Sequence, residues 1–233
     1  MKSTLIMIGG GEIGNGETLP LDQEVRRFCP KEWAHVLFLP TAAHDVESYT
    51  EAVKRVYEPL GCEVESLCLY TETPTLESLQ EAMDWADIIY IGGGNTRDLL
   101  RRLKETGFDH ILLNAMNKRE DLVVAGYSAG ASMWCRASYA DCDIMDGISN
   151  KMVFLKCFNY LPFVFNPHAQ EEDRQDFAAD FAASNFIQAY SLDKDTGIVI
   201  KDKKVVQVLK IDDALRVTYF RRDKNNLIKQ KSL

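Results

Sequence analysis

The chain has 233 residues, 46% hydrophobic and 27% charged, which is enough apolar material for one large core. Its 27 Lys and Arg stand against 35 Asp and Glu, a formal charge of −8, which argues against a general nucleic-acid binder because that role needs a net cationic surface. No apolar run approaches the roughly 20 residues that span a bilayer, so no membrane partner is expected.

The N-terminal run from Met1 to Gly16 has a short apolar stretch and no small-residue cleavage site. It is expected to be a buried first strand rather than a signal peptide. Thr4–Ile8, Val36–Leu39, Ile88–Ile91 and Leu122–Ala125 are compact apolar runs, each followed by glycine or turn residues. Apolar runs without alternation suit strands covered on both faces. Helical patterns lie between them, at Leu21–Phe28, Tyr49–Leu60, Thr75–Trp85, Thr96–Lys104 and Phe108–Lys118. Pro74 and Thr75 suit a helix start, and Gly61 sits where a C-terminal glycine belongs. This succession predicts right-handed crossovers and a mostly parallel sheet with helices on both faces, an α/β architecture of three layers.

Beyond Ser128 the pattern loosens. Residues 136–160 are mixed, Phe163–Phe165 resume a strand, and a helix is expected from Glu171 to about Ser184. Thr196–Ile200, Lys204–Lys210 and Ala214–Phe220 read as short antiparallel strands at the sheet edge. No linker, repeat or shift in composition divides the chain, so residues 1–233 are expected to form a single domain. The six cysteines show no C-x-x-C pair and no histidine at zinc-ligand spacing. They are expected to be reduced and packed as small hydrophobes in a cytoplasmic protein, with no metal.

The chemistry concentrates at Gly126-Tyr127-Ser128-Ala129-Gly130, a G-x-S-x-G segment between a buried strand and a helical run. A nucleophile elbow needs small flanking residues because strand and helix must approach closely around a strained serine. The turn would lift the hydroxyl above the sheet edge, beside a helix N-terminus that favours developing negative charge. The competing reading is a tightly packed turn. A serine nucleophile needs a base, and four histidines are available. His35 opens an apolar strand, His110 lies in a helical pattern, and His44 follows a strand end. His168 closes the run Phe163-Val164-Phe165-Asn166-Pro167 and follows the serine, as in the Ser…Asp…His chain order of this elbow class. The triple glycine Gly92-Gly93-Gly94 follows another buried strand, where backbone N–H groups are free to face an oxyanion or a phosphate.

Ile91-Gly-Gly-Gly-Asn-Thr96, Gly126-Tyr-Ser-Ala-Gly-Ala131 and Asn166-Pro-His168, in this order and spacing, resemble the dipeptidase E (aspartyl dipeptidase) and cyanophycinase family of serine peptidases. The resemblance covers roughly Met1 to Ile200. It implies a flavodoxin-like or class I glutamine-amidotransferase-like sheet, a small peptide substrate, and no cofactor or metal. It further implies Ser128 as nucleophile, His168 as base, the N–H groups of Gly94 and Ala129 as oxyanion hole, and Asn95 as a substrate-holding residue. Asp143 falls where the dipeptidase branch carries its third triad member, with Asp141 and Asp193 as alternatives. Lys194 stands where the cyanophycinase branch places a glutamate. Arg174 falls where the dipeptidase branch carries an arginine that contacts the substrate acid; the alternative is a surface arginine paired with Glu171 or Asp173.

Two readings from other classes compete. Gly9-Gly10-Gly11-Glu12-Ile13-Gly14 formally matches the dinucleotide fingerprint, although no acidic residue closes the second strand to hold a ribose. A non-catalytic member of the fold is the other, kept open by Lys194. The sequence leaves a monomer or a homodimer open.

Overall fold

The computed structural model describes residues 1–233. The first half of the chain runs β1 (Thr4–Ile8), α1 (Leu19–Phe28), β2 (Ala34–Leu39), α2 (Glu47–Tyr57), β3 (Cys62–Ser66), α3 (Leu76–Trp85), β4 (Ile88–Ile91), α4 (Thr96–Thr106), α5 (Phe108–Lys118) and β5 (Val123–Tyr127). β1, β4 and β5 are buried along their whole length because helices cover both faces of the sheet they build. Along β1, Leu5 and Met7 enter a core with Leu79, Leu99 and Leu112 of α3, α4 and α5. Ile6 and Ile8 enter the opposite core, with Val25 of α1 and Val53 of α2.

The helix ends follow local chemistry. Thr75 caps α3, its hydroxyl accepting from the Ser78 N–H at 3.2 Å. Asn95 caps α4, its side-chain oxygen accepting from the N–H groups of Arg97 and Asp98. β3 is an edge strand that the sequence pattern did not single out. Its alternation places Cys62 and Val64 inward and Glu63 and Glu65 in solvent, so it lacks the continuous apolar run of a central strand.

The second half runs α6 (Ala129–Ser132), β6 (Ala137–Ala140), α7 (Cys142–Met145), β7 (Val153–Lys156), β8 (Val164–Asn166), α8 (Phe177–Ala183), β9 (Gln188–Leu192), β10 (Thr196–Lys201), β11 (Lys204–Lys210), β12 (Val217–Arg222) and β13 (Ile228–Ser232). The main sheet has the order β11-β10-β1-β5-β4-β2-β3, with β10 and β11 antiparallel at its edge and the other five strands parallel. A second sheet, β13-β12-β9-β8-β6-β7, keeps β6, β8 and β9 parallel and the outer pairings antiparallel. The architecture is thus α/β, with parallel strands between helices as the pattern indicates.

Two expectations are corrected. The segment ending at Phe220 does not join the main sheet. β12 pairs with β9, and Phe220 packs against Phe177 and Phe181 of α8. The helix expected from Glu171 begins instead at Phe177, after a single 3-10 turn at Glu172–Arg174 that turns the Arg174 side chain into the protein. For the chemistry, the decisive register is Ile8 opposite Tyr127 and Ile91 opposite Gly126. It brings the ends of β1, β4 and β5 to one sheet edge, so the loops after them share one space.

Candidate active site

Ser128 follows directly on β5 with φ 49° and ψ −103°, a backbone conformation that side chains rarely adopt. Its surroundings leave no alternative. A Cβ on Gly126 would lie 2.2 Å from the Gly130 carbonyl oxygen, and one on Gly130 would lie 2.1 Å from that of Ile91. The Ser128 N–H donates to the Ile8 carbonyl at 3.1 Å, tying the turn to β1. α6 is a single turn, so the helix-terminus contribution expected at this position is small.

The loop after β4 is held by unusual backbone. Gly94 has φ 133°, and a Cβ there would come within 2.1 Å of the Ala42 carbonyl oxygen. Gly93 donates its N–H to the Tyr49 hydroxyl at 3.1 Å, and Asn95 donates its own to the Ala42 carbonyl at 2.7 Å. The N–H groups of Gly94 and Ala129 donate to no turn or loop carbonyl and to no side chain.

His168 follows β8 and also has positive φ, 53°. Its N–H donates to the Gly9 carbonyl at 2.9 Å, and its Nε2 lies 2.7 Å from the Ser128 hydroxyl oxygen. Gly10 passes so close to the ring that a Cβ there would lie 2.4 Å from Nδ1. Gly9, Gly10 and Gly11 of the apparent dinucleotide fingerprint therefore make room for this imidazole and for the 193–195 loop, whereas a Cβ on Gly14 would meet nothing. Only a single 3-10 turn, Ile13–Asn15, follows, and no α-helix N-terminus receives a pyrophosphate because α1 starts at Leu19. Burial pushes the His168 pKa from 6.5 down to about 4, with Glu171 opposing that shift and Arg174 and Lys194 adding to it. Ser128, His168, Gly93 and Gly94 line a cleft of about 450 Å³ whose walls also carry Glu12, Tyr49, Tyr127, Asp141, Met145 and Arg174.

Residues 5–208 match the family model described as peptidase family S51. The chain belongs to this family. An uncharacterized peptidase of Bacillus subtilis, YgaJ, is 34% identical over 188 residues, covering 80% of this chain and 77% of that protein. A Drosophila melanogaster protein assigned as an alpha-aspartyl dipeptidase is 29% identical over 177 residues, covering 73% and 71%. The crystal structure of a Listeria monocytogenes protein assigned as a peptidase E superposes with a TM-score of 0.68 at 26% identity, covering 90% of this chain and 99% of that one. Members of S51 are serine peptidases by classification, so this chain is a peptidase and its substrate a peptide. No helix is long and apolar enough to cross a membrane.

Within this S51 chain, the site residues implied by resemblance divide. Ser128 and His168 are in contact, Gly94 lines the same cleft, and Ala129 follows Ser128 directly in the chain. Asp143 does not reach the imidazole. Its carboxylate is taken by the Arg97 guanidinium, which also binds Asp146. Asn95 is not presented to the cleft: its oxygen caps α4 and its NH₂ donates to Asp146 at 2.7 Å. The two alternatives to Asp143 are engaged as well. Asp193 accepts from the Arg216 N–H at 2.8 Å, and Asp141 lies 3.5 Å from Arg174. Arg174 is not on a solvated helix face. It is 4% exposed, donates to the Tyr139 carbonyl, and has no hydrogen-bond partner for Nε. Sequence reasoning missed Glu171, whose carboxylate lies 3.8 Å from His168 Nδ1 and 2.5 Å from Lys194 Nζ. The only signal for it was its spacing of three residues from the histidine.

The elbow sterics give a stability test. Gly130→Ala forces a methyl group against the β4 backbone, and should lower the unfolding free energy by about 1–3 kcal/mol, read as a shift of the urea midpoint at unchanged m-value.

Proposed function

We propose that this peptidase works through an acyl-enzyme on Ser128, with His168 as general base and then general acid. The observation that carries the reading is the 2.7 Å contact between Ser128 Oγ and His168 Nε2 in a cleft that Gly94 also lines. His168 Nε2 takes the hydroxyl proton as Ser128 Oγ attacks the scissile carbonyl carbon. The oxygen of the tetrahedral intermediate takes up negative charge and is received by the Gly94 and Ala129 N–H groups, aligned before the reaction starts. Collapse transfers the proton from His168 to the departing amine. Water, deprotonated by the same histidine, then cleaves the ester and releases the acid.

A depressed imidazole pKa suits this role because the base must be neutral to accept a proton. The substrate we propose is a small peptide, including dipeptides that begin with aspartate. Such a substrate brings a side-chain carboxylate into an acidic protein, and Arg174 is the buried cation in the cleft wall. A guanidinium suits the task through paired N–H donors. The Drosophila relative's assignment points the same way.

Ser128→Ala should lower kcat by about 10⁴- to 10⁶-fold with circular dichroism unchanged, and retained turnover would defeat the serine mechanism. Because burial lowers the His168 pKa, the acid limb of kcat/KM should fall well below pH 6.5. Activity is kept while the imidazole is neutral and lost as pH drops through the lowered value; a limb at or above pH 6.5 would contradict this. Arg174→Met should cost about 2–5 kcal/mol in transition-state binding for Asp-initiated dipeptides and far less for neutral ones. Equal losses on both would make Arg174 a scaffold residue, since it also supports the Tyr139 carbonyl.

A further inference from the structure

His168 Nδ1 is buried and has no hydrogen-bond partner. If Nε2 is to accept the serine proton, the neutral ring must carry its own proton on Nδ1, and that N–H needs an acceptor as positive charge develops on the ring. Only one carboxylate stands within 4.0 Å of a ring nitrogen, that of Glu171, 3.8 Å from Nδ1. Asp141, Asp143 and Asp193 are held by Arg174, Arg97 and the Arg216 N–H.

We propose that Glu171 is the positioning carboxylate of His168 and that Lys194 holds it there, so that a Lys194–Glu171–His168 chain backs the serine. The inference rests on the Ser128–His168 mechanism above and supplies its third member from a position the family resemblance did not indicate. The local backbone favours it. The Glu171 N–H donates to the His168 carbonyl at 2.9 Å, a tight turn that returns the Glu171 side chain to the imidazole. The loop is laced to the 192–195 segment, with Ala169 N–H donating to the Leu192 carbonyl at 2.9 Å and Lys194 N–H to the Gln170 side chain at 2.7 Å. Lys194 Nζ lies 2.5 Å from Glu171 Oε1, the same oxygen that stands 3.8 Å from His168 Nδ1, so the lysine fixes the atom that faces the ring. Burial alone would raise the Glu171 pKa, but Lys194 and His168 bring it below its ordinary value, so the group stays ionised where the base works. A side-chain rotation of about 1 Å closes the gap to hydrogen-bond length, a tightening that unliganded catalytic sites commonly await. In this arrangement the lysine at the cyanophycinase glutamate's place has a use: it orients the carboxylate instead of the ring.

The charges facing His168 are Glu171, Asp173, Arg174 and Lys194, with the Tyr127 ring set edge-on at 6.5 Å between centroids. Glu171 and Asp173 favour the protonated ring, and Arg174 and Lys194 oppose it. Opposite displacements of the acid limb therefore follow from removing one charge or the other.

The test measures kcat and the pH profile of kcat/KM on an aspartyl dipeptide, together with the rate of Ser128 labelling by a fluorophosphonate, for wild type and four variants. Glu171→Gln should lower kcat and labelling by about 10²- to 10⁴-fold and move the acid limb to lower pH. Lys194→Met should move that limb to higher pH, and Lys194→Arg should restore it. Asp143→Asn should stay within about tenfold of wild type, because its partner is Arg97. Glu171→Gln within about threefold of wild type with an unmoved limb, or the large loss appearing in Asp143→Asn instead, overturns the proposal. Ser128→Ala as a parallel control separates the two readings: if it is inactive while Glu171→Gln is not, only the positioning role fails, and if it is active both fail.

Discussion

Three consecutive main-chain carbonyls at the end of β1 hold the site together. Ile8 accepts the N–H of Ser128 at 3.1 Å, Gly9 that of His168 at 2.9 Å, and Gly10 that of Asp195 at 2.9 Å. β1 is also the strand that joins the parallel sheet, through β5, to the antiparallel edge, through β10. One extended segment thus sets the backbone positions of Ser128 and His168 and fixes the loop that carries Lys194. Because backbone atoms do this, the placement is insensitive to rotamer choice, which is what a 2.7 Å contact between two side chains from separate elements needs.

The same region is built around missing side chains. Gly126, Gly130 and Gly94 each approach another backbone within about 2 Å of where a Cβ would stand, and Gly10 lies as close to the imidazole. The close approach expels water from around the ring, and desolvation is the largest cause of its lowered pKa. Steric economy and the lowered imidazole pKa are therefore one property of the site. Positive φ at Ser128 and His168 is the local conformational cost, carried by the sheet and its two apolar cores.

Much of this was legible in the residues. Val36–Leu39, Ile88–Ile91 and Leu122–Ala125 are central strands, and central strands announce themselves through unbroken apolar runs. The elbow and the triple glycine were legible because close backbone contact demands specific residue types. Less visible were β3, β6, β7, β9 and β13, which are short, at an edge or in the second sheet, where alternating or mixed composition carries a weaker periodic signal. Charge pairing between segments distant in the chain was hidden. Arg97 lies 46 positions from Asp143, and no pattern in either segment shows that the guanidinium captures the carboxylate. Glu171 was overlooked for a related reason: in the run Glu171-Glu172-Asp173 it resembles a solvated acidic turn, and only the fold shows that it faces both an imidazole and a lysine.

The pairing of β1 with β10 also bears on how the enzyme comes into being. Gly9 donates to the Thr196 carbonyl at 2.8 Å, and Ile8 stands opposite Gly197, so the segment that seats Ser128 and His168 is itself locked by residues nearly 190 positions later. Contacts of such long sequence separation form late. On the ribosome, synthesis proceeds from the N-terminus, so β1 lacks its second neighbour until residues beyond Thr196 have left the exit tunnel. The backbone seat of Ser128 and His168 is then complete only in the finished sheet.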